Sequence, residues 1–167
     1  MPIAQHPACS EPSGDPNICR FMEFYKFRDL FANEELYFCR TDLFKETDPQ
    51  EALPLDDYVR KFLGLKKYVL EDELKLNDHQ AFIRQHSEAC YINCWQLYEG
   101  ETPDMWNTYG NAVAIFSKYG LFKSQLIPLL DNIHLGVVRY GHKDMVGNNL
   151  ITFLFTKRRH FIKEREP

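Results

Sequence analysis

From Ile18 onward, short β-forming runs and helical runs follow one another without a regular strand–helix–strand rhythm. None of the strand-like segments has the long unbroken apolar stretch of a parallel sheet covered on both sides. That irregular interspersion constrains the fold more than any single motif, and it predicts an α+β domain rather than a doubly wound one. The segment 18–22, ICRFM, reads as a short strand. EFYKFRDLFANEE, 23–35, reads as a helix, because Phe24, Phe27, Leu30 and Phe31 recur at helical spacing. LYFCR, 36–40, alternates as a strand, with Leu36, Phe38 and Arg40 on one face and Tyr37 and Cys39 on the other. Asp48–Pro49 marks a turn-rich link. Residues 55–89 are helical with a break near Gly64, and Asp56 or Asp72 is placed to cap. CYINCWQLY and NAVAIFSK read as strands, and ETPDMWNTYG as a short helix with Thr102 at its N-cap and Pro103 first inside. GLFKSQLIPLLDN is a helix interrupted by Pro128. IHLGVVRYGH is a strand, and LITFLFTKRRHF reads as a helix that turns basic.

Residues 1–17 hold four prolines among small polar residues and predict a flexible lead-in. They lack the basic start and apolar core of a signal peptide. The remaining 18–167 predict one domain, since 167 residues suffice for one sizeable core. No stretch reaches the roughly 20 apolar residues of a membrane span. Five cysteines, an odd number, predict free thiols in a reducing, cytoplasmic setting. A formal net charge of -4 argues against nucleic acid as a partner, because phosphate contacts dominate that affinity. Neither a dinucleotide-binding glycine fingerprint nor a phosphate-binding P-loop is present. Cys90 and Cys94 lack the second Cys/His pair of a zinc site, so no metal is expected.

Three constellations carry chemical possibilities. Glu164 and Glu166 are two residues apart, so in an extended segment both carboxylates share a face, where mutual repulsion raises one pKa. The competing reading is a solvated charge run from Lys157 to Glu166. Trp106 and Tyr109 are three apart and share a helix face, as the wall of a planar-ligand site or as core. Arg20 and Arg40 lie in or at the end of apolar strands, where a guanidinium fork suits a phosphate; the competing reading is an exposed strand-end arginine.

Taken in order, LYFCRTDLFKETDPQEALP, then CWQLYEGETPDMWNTYGNAVAIFS, then KRRHFIKEREP resemble a family of bacterial and phage domains of uncharacterised function. The resemblance runs from about Ile18 to the last residue. It departs from the family in a trimmed loop after Tyr109, and in ending at Pro167 where members continue, so a short relative or a fragment is expected. More loosely, the arrangement resembles ADP-ribosyltransferases. That resemblance implies a split mixed or antiparallel sheet with flanking helices, and NAD as substrate. It implies Glu166 and Glu164 as catalytic residues, and Arg20, Tyr37, Arg40, Trp106 and Tyr109 as NAD-binding residues. A host or phage protein is the implied target. The alternative is a catalytically inactive module on the same fold that binds and inhibits a protein.

Overall fold

The computed structural model describes residues 6–46, 56–100, 103, 106–107, 112–127, 133–141 and 150–157. The class is α+β, as expected, with strands gathered in small sheets. The chain divides into two compact units.

The first unit holds the larger sheet. Strand β1 (Asn17–Glu23) leads directly into helix α1 (Phe24–Asn33). β1 is the central strand of three, flanked antiparallel by two strands introduced below. A central strand has its ladder satisfied on both edges, so its side chains decide only what covers the two faces. Here both are covered: Ile18 and Met22 on one side and Cys19 and Phe21 on the other are all buried. The helix that follows is different. α1 ends at Glu34 in the left-handed region (φ 55°) and buries none of its residues.

Later segments complete this unit. β4 (Gln96–Leu97) pairs through Ile18↔Leu97 and Cys19↔Gln96. β5 (Ala112–Lys118) pairs along the whole of β1, from Asn17↔Lys118 to Glu23↔Ala112. Aromatic pairs close the packing. Phe21 meets Trp106 edge-on at 4.9 Å, Tyr98 meets Phe116 edge-on at 5.0 Å, and Trp95 lies 4.8 Å from Phe122. Helix α4 (Tyr119–Leu126) follows β5 without a loop, and its own N-cap, Lys118, offers no side-chain acceptor. The acceptor comes from far away in sequence. The Asp15 carboxylate takes the Gly120 N–H at 2.6 Å, beside the Tyr119 N–H bond to the Pro16 carbonyl at 3.0 Å. A β-carbon at Gly120 would stand 3.1 Å from that same Asp15 oxygen, which accounts for a glycine in the first turn.

The described part of the expected flexible lead-in therefore packs. Ala8 is buried, the Ser10 carbonyl accepts the Val137 N–H at 2.8 Å, and Glu11 pairs with Lys123 at 2.5 Å. Pro, Gly and Ser there shape a path along the sheet unit rather than a free tail.

The second unit is built on a helical hairpin. α2 (Asp56–Leu63) and α3 (Leu70–Ser87) pack together and bury Val59, Leu76 and Ile83. α2 ends in a Schellman-type turn: Gly64 takes φ 69° and the Leu65 N–H reaches the Arg60 carbonyl at 2.8 Å. On either side of the hairpin in sequence, β2 (Cys39–Arg40) and β3 (Tyr91–Ile92) pair antiparallel. The 3-10 helix Thr41–Glu46 is anchored by the buried Thr41, whose hydroxyl donates to the Ser87 carbonyl at 2.5 Å. β6 (Arg139–Tyr140) and β7 (Thr156–Lys157) pair in parallel, with α5 (Leu150–Leu154) before β7 contributing buried Thr152 and Phe153.

Candidate functional site

Arg20 sits in the middle of β1, opposite Ile115 of β5. The pleat places its side chain on the face of Ile18 and Met22, with Val113, Ile115, Ser117 and Leu97 contributed by the neighbouring strands. It is half-buried and its Nη1 is shielded from solvent. A cation is thus set among apolar neighbours on the central strand. Such a cation is suited to a phosphate, because a partly desolvated guanidinium interacts with an anion more strongly than one in bulk water.

Trp106 lies on the other side. Phe21 points away from Arg20, and the Trp106 indole packs on Phe21. The two residues expected to line one pocket are therefore on opposite faces of β1, and Trp106 serves there as a packing ring for the sheet. The spacing of Trp106 and Tyr109 shows only that they share a face; it does not say which face of the sheet that helix covers.

Tyr37 is in the first unit and 62% exposed; its carbonyl accepts the Asn93 side-chain amide at 2.7 Å, and Asn93 in turn accepts the Trp95 indole N–H at 2.7 Å. Arg40 belongs to the second unit. Its guanidinium grips Asp42 at two points, Nε at 2.5 Å and Nη2 at 3.0 Å, so a carboxylate two residues on already occupies the fork. The hydrogen bond and charge of Asp42 push the Arg40 pKa further up. A phosphate there would have to displace Asp42. Tyr109, Glu164 and Glu166 lie outside the described residues.

The described residues also enclose an open hollow of about 550 Å³ lined by His6, Pro7, Cys9 and Glu11, with the His134 ring 6.0 Å from that of His6. The Tyr119 hydroxyl is shielded from solvent, and burial first and the Glu11 charge second push its pKa up. Among the described residues, no group of three His, Cys, Asp or Glu side chains is placed to hold a metal ion. None of the five cysteines is in a disulfide, and burial pushes the Cys90 thiol pKa up, which disfavours the nucleophilic thiolate. No described helix is long and apolar enough to cross a membrane.

Sequence reasoning missed the Asp15–Gly120 cap and the Glu11–Lys123 pair. Both join residues more than a hundred positions apart, and neither leaves a local pattern. In comparisons with family models, curated proteins and solved structures, nothing matches the chain.

Proposed function

We propose that the chain is an ADP-ribosyltransferase-like protein that binds NAD and transfers its ADP-ribose to a macromolecular target. The observation that carries this reading is Arg20, a guanidinium held on the central strand of an antiparallel sheet among apolar neighbours. In this reading Arg20 binds the pyrophosphate of NAD by charge-assisted hydrogen bonds. Arg40, gripped by Asp42, contributes less, and Trp106, packed on Phe21, is taken out of the ligand site. Tyr37, exposed on the same unit, is a second ring available to the ligand.

The chemistry assigned to the terminal acids is charge stabilisation. As the bond from ribose C1′ to nicotinamide breaks, the bonding pair leaves with the neutral base and C1′ becomes oxocarbenium-like. The Glu166 carboxylate stabilises that charge through a ribose hydroxyl, and removing such a group costs roughly 100- to 1000-fold in rate. Glu164 accepts the proton that the acceptor nucleophile loses as it bonds to C1′. Incubation with NAD and a cell lysate tests the reading. Label transfer or nicotinamide release that disappears in Glu166→Gln supports it; neither product in the unsubstituted chain refutes it.

A second reading, a protein-binding module without catalysis, is favoured by one observation. Phe24 and Phe31 on α1 are 61% and 80% exposed, and the Phe24, Phe27 and Phe31 rings form a continuous stripe with 6.4 and 6.2 Å between successive centroids. Inhibition of a partner that survives Glu166→Gln but is lost in Phe31→Ser would select it.

A further inference from the structure

The turn between α2 and α3 displays an aromatic residue in a conformation that tyrosine avoids. Tyr68 adopts φ 64°, in the left-handed region, and is 95% exposed. Two carboxylates from the first turn of α3 enforce that geometry. Glu73 accepts the Tyr68 N–H at 3.2 Å and pairs with Arg60, and Asp72 accepts the Lys66 N–H at 2.9 Å. Arg60 also donates to the Lys66 carbonyl at 3.3 Å, and the Schellman turn at Gly64 fixes the other side. A strained residue persists where its surroundings over-determine it, and such residues gather at recognition sites.

The hairpin end is apolar at its apex. Val69 and Leu70 follow Tyr68 directly, Leu70 is 77% exposed, and Phe62 and Leu63 at the end of α2 are exposed as well. Asp72 and Glu73 are turned inward onto the backbone and Arg60, while Glu71 stays exposed in a surface pair with Lys75 at 2.7 Å. Lys61 and Lys66 stand exposed beside the apex, and Lys67 makes an exposed pair with Asp57, which contributes little.

We propose that this hairpin end is a docking wedge for an anionic lipid bilayer surface. A tyrosine at the hydrocarbon–water boundary, short apolar side chains beyond it and lysines at headgroup level match an interface that is apolar within and negative outside. The wedge rests on the surface and does not span it. The inference is independent of NAD binding, since it uses only residues of the α2–α3 hairpin.

Co-sedimentation of the full chain with vesicles tests it. Vesicles of phosphatidylcholine containing about one quarter phosphatidylserine bind the chain, and phosphatidylcholine alone binds it markedly less, with each of Lys66→Ala and Lys67→Ala weakening the anionic binding about fivefold. Tyr68→Gly relieves the backbone strain, so it folds at least as well as the parent, yet loses vesicle binding. Failure to bind anionic vesicles overturns the proposal, as does undiminished binding by Tyr68→Gly. Self-association that Tyr68→Gly abolishes, without lipid binding, assigns the apex to a second copy of the chain and overturns it too.

Discussion

β1 and α1 are consecutive, comparably rich in apolar residues, and opposite in fate. In β1 every residue from Ile18 to Met22 except Arg20 is buried; in α1 none is. The difference does not lie in side-chain hydrophobicity. β1 gains a neighbour on each edge and a cover on each face, so its large apolar side chains are buried. α1 has a regular aromatic stripe, Phe24–Phe27–Phe31, whose two end rings stay largely in water. Apolar periodicity thus defines a face, and tertiary pairing decides whether that face becomes core. It follows that β1 is where stability resides and where Arg20 is held rigidly, whereas α1 can change with little effect on folding.

The largest expected effect is in β1. Phe21→Ala removes the ring against Trp106 and leaves a cavity in the sheet packing, with a loss of about 3–5 kcal/mol. Urea denaturation should show it as a lower midpoint at an unchanged slope; a loss under about 1 kcal/mol would mean the face of Cys19 and Phe21 is not core. The cap that ties the N-terminal segment to this sheet is next. Asp15→Ala leaves the Gly120 N–H without its acceptor and costs about 1 kcal/mol, read as a drop in Tm. Tyr68→Gly runs the other way and raises stability by about 1 kcal/mol, because glycine accepts the left-handed conformation. The smallest effect belongs to α1. Phe31→Ser should stay within about 0.5 kcal/mol of the parent, and a larger loss would show that the stripe is covered after all.

An acid titration extends the comparison to the second unit. Hydrogen bonding to Arg60 holds the Glu73 pKa below the usual carboxylate range. A depressed folded pKa contributes stability that is present above the unfolded value and lost as pH falls through the folded one. The hairpin turn therefore loosens on the acid side, below the ordinary carboxylate range. Glu73→Gln should flatten the acid limb of the stability profile, and an unchanged limb would show that Glu73 does not hold the turn.

Where neighbours in sequence decide the outcome, the sequence was legible. ICRFM, NAVAIFSK and the helical stretch broken near Gly64 all appear close to their expected bounds, because alternation, helical periodicity and a glycine stop are local signals. LYFCR shrinks to Cys39–Arg40, and CYINCWQLY splits into Tyr91–Ile92 and Gln96–Leu97, since a strand lasts only as long as its partner does. LITFLFTKRRHF gives a short helix and then a strand, because Thr156 and Lys157 find β6 as a parallel neighbour. Among the described residues of IHLGVVRYGH, Arg139–Tyr140 alone form a strand. Of the candidate site, the rigid seat of Arg20 was legible from its place inside an apolar strand. The Asp42 grip on Arg40 was two residues away and overlooked. The placement of Trp106 behind Phe21 depends on which sheet face the short helix covers, and spacing along one helix carries no such information.

Calorimetric titration of NAD into the full chain bears most directly on the function assigned to β1. The account predicts saturable binding that is lost or strongly weakened in Arg20→Ala and unchanged in Phe31→Ser. Absence of binding to the parent chain, or equal affinity in Arg20→Ala, would contradict it.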